Sequence, residues 1–334
     1  MNRSLPPTVT EASYTRSVAL MGTVVTIQVA NQPAKTNSSA ECNPAACDPA
    51  ALDETVERAF EWFREIERRC TRFEETSEVM QLIAQSGKPV PVSAILFEAV
   101  QFALAVAEES GGAFDPTVGY AMESRGFNEE YKTRRTIRTE LPSEGPGSYR
   151  PVSYRDVRLD PERRTITLHR PLILDLGAVA KGLAIDMAAK KLQPLQNFAI
   201  DAGGDLYLSG RNSRGELWSV GIRHPRRPNE LIDSLRVTDR AVCTSGDYER
   251  VAPSTTNGEN HILDPRTGES ARAAASVTVI APTAMLADAV GTAAFVLGPT
   301  KGIRLCERLG VEALIFTPEL QRFSTQGISI AHVS

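Results

Sequence analysis

The stretch Met285–Gly298, MLADAVGTAAFVLG, constrains the fold of this chain more than any other. Apart from Asp288 and Thr292, every side chain in it is apolar or absent. A helix that is hydrophobic all round belongs in an interior, so other layers of structure must cover this one on several sides. Asp288 and Thr292 are four residues apart and share one helix face, with Cβ atoms about 5–6 Å from each other. An ionised carboxylate buried in such a helix costs several kcal/mol unless it is paired, hydrogen-bonded or bound to a metal. Two hard oxygens on one face suit Mg²⁺, which takes one or two carboxylates and leaves its other positions to water and phosphate. An Asp–Thr hydrogen bond at the mouth of a core helix accounts for the same pair, and the residues alone leave both readings open.

A second constraint is the abrupt change of period in Pro171–Leu192, PLILDLGAVAKGLAIDMAAKKL. Leu172, Ile173 and Leu174 read as a short buried strand that ends on Asp175, Leu176 and Gly177. The residues after the glycine read as an amphipathic helix with Lys181 in its first turn. A helix N-terminus offers unpaired N–H groups and partial positive charge, a natural seat for phosphate. Asp175 as a simple helix cap is the alternative.

The remaining chain places these two elements in an α+β setting. Residues 1–16 read as a flexible N-terminal tail and 17–334 as one large domain. A first strand is expected over Ser17–Val29, carrying Met21-Gly22-Thr23, and an aperiodic insertion loop over 31–50. Helices are expected at Ala51–Arg69 and Ser93–Glu109, the second ending at Gly111-Gly112, where glycine permits a left-handed cap. The segment 70–79, with Phe73, reads as a polar turn, and 120–150 as surface loops. Short strands are expected at Val157–Leu159 and Thr165–Leu168. From Phe198 onward strands and hairpin links dominate, around Gly203-Gly204 and Ser245-Gly246, and the helices Ala284–Leu297 and Lys301–Leu309 follow. Mixed or antiparallel sheets with a few packed helices make an α+β layered fold.

Composition narrows the function classes. A net charge of −4 argues against a dedicated nucleic-acid or anionic-membrane surface. Five cysteines without a C-x-x-C pair make neither a disulfide framework nor a zinc site; Cys42 and Cys47 are close enough to pair in an oxidising compartment. No stretch has the length and apolarity of a signal peptide or a membrane span, so a cytoplasmic chain is expected. Of the four histidines, only His261 lies in a run dense with turn residues.

Taken in order, Met21-Gly22-Thr23, the turn from Phe73 to Ser77-Glu78, Gly112–Gly119 (GAFDPTVG), DLGAVAKG at 175–182, AGGDLYLSG at 202–210, TSGDYER at 244–250, HILDPRTG at 261–268 and APTAMLADAVGTAAFVLG at 281–298 resemble the ApbE-type FAD:protein FMN transferases. The resemblance spans about Leu20 to Phe316, and it is the order of many motifs that makes it specific. It implies a single α+β domain of the tunnelling-fold kind. It also implies an enzyme that uses Mg²⁺, or Mn²⁺, to cleave FAD and transfer FMN to a threonine or serine hydroxyl of an acceptor flavoprotein, releasing AMP. Carried over by motif, the metal ligands are Asp288, Thr292 and the backbone carbonyl of Ala178. FAD contacts fall on Met21, Phe73, Ala113, Phe114, Asp115, Asp175, Lys181 and the strand at Leu263. His261, with Asp288, would carry the catalysis, the histidine taking the proton of the acceptor hydroxyl. Phe73 stands where the family often has tyrosine, keeping a stacking face without the hydroxyl. Two other readings use the same residues: Mg²⁺-dependent hydrolysis of FAD to FMN and AMP, and non-catalytic FAD binding. A nicotinamide dehydrogenase is disfavoured because AGGDLYLSG lacks the G-x-G-x-x-G run between strand and helix.

Overall fold

The structure, a computed structural model, describes residues 8–9, 13–30, 48–129, 135–141, 151–249 and 259–328. Cys42, Cys47 and most of the expected 31–50 loop lie outside these residues. A nine-stranded sheet forms the spine. Its spatial order is β1 (Thr8–Val9), β2 (Ser13–Leu20), β3 (Thr23–Ala30), β7 (Phe198–Ala202), β8 (Asp205–Ser209), β11 (Arg240–Gly246), β14 (Ser276–Ala281), β15 (Glu312–Phe316) and β16 (Arg322–Ser324). Every neighbouring pair in it is antiparallel. Three smaller antiparallel sheets are built from β4 (Pro89–Pro91), β5 (Val157–Asp160) and β6 (Thr165–Leu168), from β9 (Trp218–Arg223) and β10 (Leu231–Val237), and from β12 (Leu263–Asp264) and β13 (Glu269–Ser270).

Period-two alternation decides what covers each face of the spine. Ala241, Cys243, Val277, Val279, Ala281, Ala313 and Ile315 point into the larger core, which the helices share. Their neighbours Val242, Ile280, Leu314 and Phe316 point the other way and pack with Trp218, Val220, Ile222, Leu235 and Val237 of the β9–β10 hairpin. The result is three layers, with helices on one face and a hairpin on the other.

The helices are α1 (Pro49–Cys70), α2 (Glu78–Ile83), α3 (Ala94–Glu109), α4 (Gly119–Ser124), α5 (Gly177–Leu192) and α6 (Ala284–Arg308). In α1 the expected stripe of Leu52, Val56, Ala59, Phe60, Phe63 and Ile66 is buried. In α6 the expected break is present: Gly298 has φ 74° and Pro299 follows it. Helices α5 and α6 cross in contact at Gly182, where an added Cβ would lie 2.4 Å from the Met285 Cα and 2.5 Å from its nitrogen. One turn along α5, Asp186 accepts hydrogen bonds from Ala284 N at 2.7 Å and Met285 N at 3.0 Å. A carboxylate on one helix thus caps the positive end of the other. Burial pushes the Asp186 carboxyl up to about 6 in spite of these two bonds.

Five expectations need correction. The chain is in strands at Thr8–Val9 and from Ser13, within the stretch expected as a tail; Tyr14 is buried and its hydroxyl donates to Asp53. The first strand is a hairpin, turned by Met21 (φ 51°) and Gly22 (φ 73°), a left-handed conformation that a methionine does not advertise. Leu172–Leu174 are fully buried but belong to no strand. They run under the 116–119 segment, Gly119 N donating to the Ile173 carbonyl and Asp175 N to that of Pro116. A short buried apolar run cannot be told from a strand by pattern alone. The 70–79 turn leads into a helix at Glu78, capped by the Ser77 side chain, and the 120–150 segment contributes α4.

Candidate active site

Three elements converge on one cluster of charge. Lys181 comes from one turn into α5, Asp205 opens β8 directly after the Gly203-Gly204 turn, and Asp288 comes from the second turn of α6. The Lys181 ammonium touches Asp205 Oδ2 and lies 3.7 Å from Asp288 Oδ2. Asp205 and Asp288 are both buried, and Asp205 Oδ1 also accepts from Thr244 N on β11 at 3.3 Å. Burial alone would lower the Lys181 pKa, but Asp205 and Asp288 raise it well above the ordinary lysine value. Cys243, buried beside the cluster, is held well above its usual range by burial and then by the two carboxylates. It therefore stays a thiol at neutral pH and offers no nucleophile.

The predicted metal ligands lie on the two helices, α5 and α6, that carry Lys181 and Asp288. Thr292 is half-buried one turn beyond Asp288 on the same face, and Ala178 lies in the first turn of α5. Among the described residues no three His, Cys, Asp or Glu side chains gather into a metal cage. A cation here would complete its shell with a hydroxyl, a backbone carbonyl and oxygens from outside the protein. That donor set is hard, and an ammonium already marks the place as one that requires positive charge. These residues fit Mg²⁺ or Mn²⁺.

Met21 lies at the turn of the β2–β3 hairpin. Its hairpin turn lies beside the Gly203-Gly204 turn, where an added Cβ on Gly203 would fall 2.3 Å from Thr23 Oγ1. Two left-handed turns on adjacent strand pairs thus place Met21 near the start of β8 and Asp205.

A second group forms around Arg72, which the sequence reading passed over. Its guanidinium is buried. It lies 4.4 Å from the centroid of the Phe73 ring, donates through Nε to Asp175 Oδ2 at 2.7 Å, and reaches the Phe127 carbonyl and Glu123 Oε1. Asp175 meanwhile accepts from Gly177 N at 2.9 Å through Oδ1, so it ties the turn that leads into α5 to Arg72. Ala113 and Phe114 are buried just before Pro116, whose carbonyl accepts from Asp175 N. Asp115 is a brace for this loop: Oδ1 accepts from Thr117 N and Oγ1, and Oδ2 from Tyr154 N at 3.0 Å. Burial raises the Asp115 pKa, and these bonds only partly offset it.

His261 belongs to the same neighbourhood. Its ring meets Phe127 edge-on at 6.5 Å between centroids, and the Phe127 carbonyl is the one held by Arg72. Buried Asn260 fixes the histidine's backbone, donating to the Ala271 carbonyl at 2.9 Å and accepting from Ile262 N at 3.0 Å. Leu263 is buried at the start of the β12–β13 hairpin that follows. Arg72, Asp205 and Asn260 are the contributors the sequence reading missed. Arg72 left one signal, a lone cation ahead of an aromatic in an otherwise acidic turn.

The sequence profile of the ApbE family matches residues 21–315. An FAD:protein FMN transferase from Treponema pallidum is 31% identical, with 94% of this chain and 87% of the relative covered. Another from Haemophilus influenzae is 28% identical over 73% of each chain. Among solved structures, the ApbE protein of Thermotoga maritima superposes with a TM-score of 0.76 at 30% identity, covering 94% of this chain and 97% of that one. The flavin transferase ApbE from Vibrio cholerae shares the fold with a TM-score of 0.72 at 23% identity, covering 94% and 98%. With most of the chain matched by the family profile, from Met21 to Ile315, the chain belongs to the ApbE family.

Proposed function

We propose that this chain is an FAD:protein FMN transferase that moves FMN from FAD to a threonine or serine hydroxyl of an acceptor flavoprotein. The observation that carries the reading is the meeting of Lys181, Asp205 and Asp288 beside the N-terminal turn of α5. A pyrophosphate has one natural place there, against the ammonium and the positive end of the α5 dipole. The name borne by the Treponema pallidum and Haemophilus influenzae relatives supports the same reading.

The acceptor oxygen attacks the phosphorus on the FMN side of the pyrophosphate and forms a phosphoester. The bond from that phosphorus to the bridging oxygen breaks, and AMP leaves with the bridging oxygen. An imidazole nitrogen of His261 takes the hydroxyl proton, help worth typically ~10²–10⁴-fold. Asp288, Thr292 and the Ala178 carbonyl would hold Mg²⁺ or Mn²⁺, which supplies neutralising charge to the phosphates when bound. Lys181 and the α5 N-terminus orient the pyrophosphate. Asp175 and Phe73, fixed by Arg72, shape the flavin-nucleotide side with Met21, the Ala113–Asp115 loop and Leu263.

The test is to incubate the purified chain with FAD, MgCl₂ and an acceptor flavoprotein domain carrying a threonine flavinylation segment. A gain of one FMN mass on that threonine, matched by AMP, is expected. AMP without a mass gain would make the chain an FAD hydrolase, and retained FAD with neither product would make it a flavin-binding protein. His261→Ala should slow transfer by about 10²-fold or more and leave FAD binding within about twofold.

A further inference from the structure

The charge cluster has a property that goes beyond the proposed reaction, although it rests on the metal reading of Asp288. Asp205 and Asp288 bring two negative charges into a buried space, and Lys181 brings one positive charge that reaches both. Its ammonium touches Asp205 but stands 3.7 Å from Asp288, so the two contacts differ in strength. Asp205 is held from its other oxygen by Thr244 N, whereas the Lys181 side chain keeps 27% exposure at the end of a flexible stem. A divalent ion bound to Asp288 would place two further positive charges within a few ångströms of that ammonium. Like charges at such range in a poorly screened site repel strongly, so the movable group must give way.

We propose that Lys181 is the resident cation of the Asp205–Asp288 pair, that a divalent ion arriving at Asp288 displaces it, and that Asp205 is the positioning residue that retains the ammonium when this occurs. The charge count gives the exchange a purpose. Without the divalent ion the three side chains sum to −1, which repels a pyrophosphate. With it they sum to +1, which attracts one, and the ammonium stays beside the site because Asp205 keeps it. Asp205 thus acts through Lys181 and not as a metal ligand.

The experiment is calorimetric titration of Mg²⁺, repeated with Mn²⁺, into the purified flavin-free chain. It is paired with thermal melting with and without saturating metal, on the wild type, Lys181→Met, Lys181→Gln, Asp205→Asn, the Lys181→Met/Asp205→Asn double variant and Asp288→Ala. Removing the ammonium should tighten metal binding tenfold or more. It should also lower the melting temperature of the metal-free protein and enlarge the rise that metal produces. Asp205→Asn frees the ammonium to settle on Asp288, so it should weaken metal binding severalfold more in the wild-type background than in the Lys181→Met background. Unchanged or weaker binding by both Lys181 variants, with binding still abolished by Asp288→Ala, would overturn the displacement and leave the metal reading intact. An equal loss from Asp205→Asn in both backgrounds would overturn its positioning role. No metal uptake by the wild type or by either Lys181 variant would overturn the metal reading and this inference with it.

Discussion

Replacing Gly182 by alanine tests whether the crossing of α5 and α6 is as tight as the placement of the site requires. The added methyl would lie 2.4 Å from Met285 Cα, 2.5 Å from Met285 N and 2.7 Å from the Ala284 carbonyl carbon, all of them backbone atoms that cannot rotate away. Ordinary carbon contacts lie at about 3.5–4.0 Å, so the helices must separate by about 1 Å. Alanine gains about 1 kcal/mol over glycine in helix propensity. Against this, overpacking costs about 1–3 kcal/mol. The two hydrogen bonds from Ala284 N and Met285 N to Asp186 lengthen as well, and bonds to charged groups are worth about 1.5–3 kcal/mol each when lost outright. The clash wins, and a net loss of about 2–4 kcal/mol is expected. Urea unfolding followed by circular dichroism measures it. Lys181 is the neighbouring residue, so Mg²⁺ affinity should change in the same variant. A stability within about 0.5 kcal/mol of the wild type, the range of an inconsequential surface change, would refute the claim that backbone contact fixes this crossing.

Asp186 gives a prediction in pH. Its folded-state pKa is raised from 3.8 to about 6, so between those values the folded chain binds more protons than the unfolded one and this residue's contribution to stability falls as pH rises. The wild type's advantage over Asp186→Asn in urea should therefore shrink by about 2–3 kcal/mol between pH 4 and pH 7; a difference that stays constant over that range would show that the carboxyl is not strained by burial. Arg72→Ala leaves Asp175 and Glu123 without the guanidinium that joins them, and a loss of about 3 kcal/mol with weakened FAD binding is expected. Arg72→Lys keeps the charge but not the fork, so equilibrium binding by flavin fluorescence should fall between alanine and wild type; a lysine variant matching the wild type would reduce Arg72 to a point charge.

Residues whose meaning depends on near neighbours were legible in the sequence. The apolar surroundings of Asp288 announced a buried carboxylate, and Gly298-Pro299 announced the break in α6. The stripe of α1 follows from spacing alone, and the Gly177 boundary of α5 was visible as a change of period. Residues whose meaning depends on distant partners were not. Arg72 is defined by Asp175, more than a hundred positions away, and Asp186 by the N-terminus of α6. Asp205 looked like the first residue after a glycine turn, and only the folded sheet brings it to Lys181. The Leu172–Leu174 run shows the converse failure, since burial without pairing leaves the same pattern as a central strand. Likewise, which face of the spine would meet the β9–β10 hairpin depends on register across strands far apart in the chain.

The central claim is that the cluster around Asp288 directs cation-assisted cleavage of the FAD pyrophosphate, and AMP release tests it most directly. FAD would be incubated with the wild type and with Asp288→Asn, in Mg²⁺ and in EDTA, in the presence of the acceptor, and AMP followed by chromatography while circular dichroism confirms that both proteins are folded. The account predicts AMP from the wild type in Mg²⁺ alone, abolished by EDTA and by Asp288→Asn. AMP released at the wild-type rate by Asp288→Asn, or unaffected by EDTA, would contradict it.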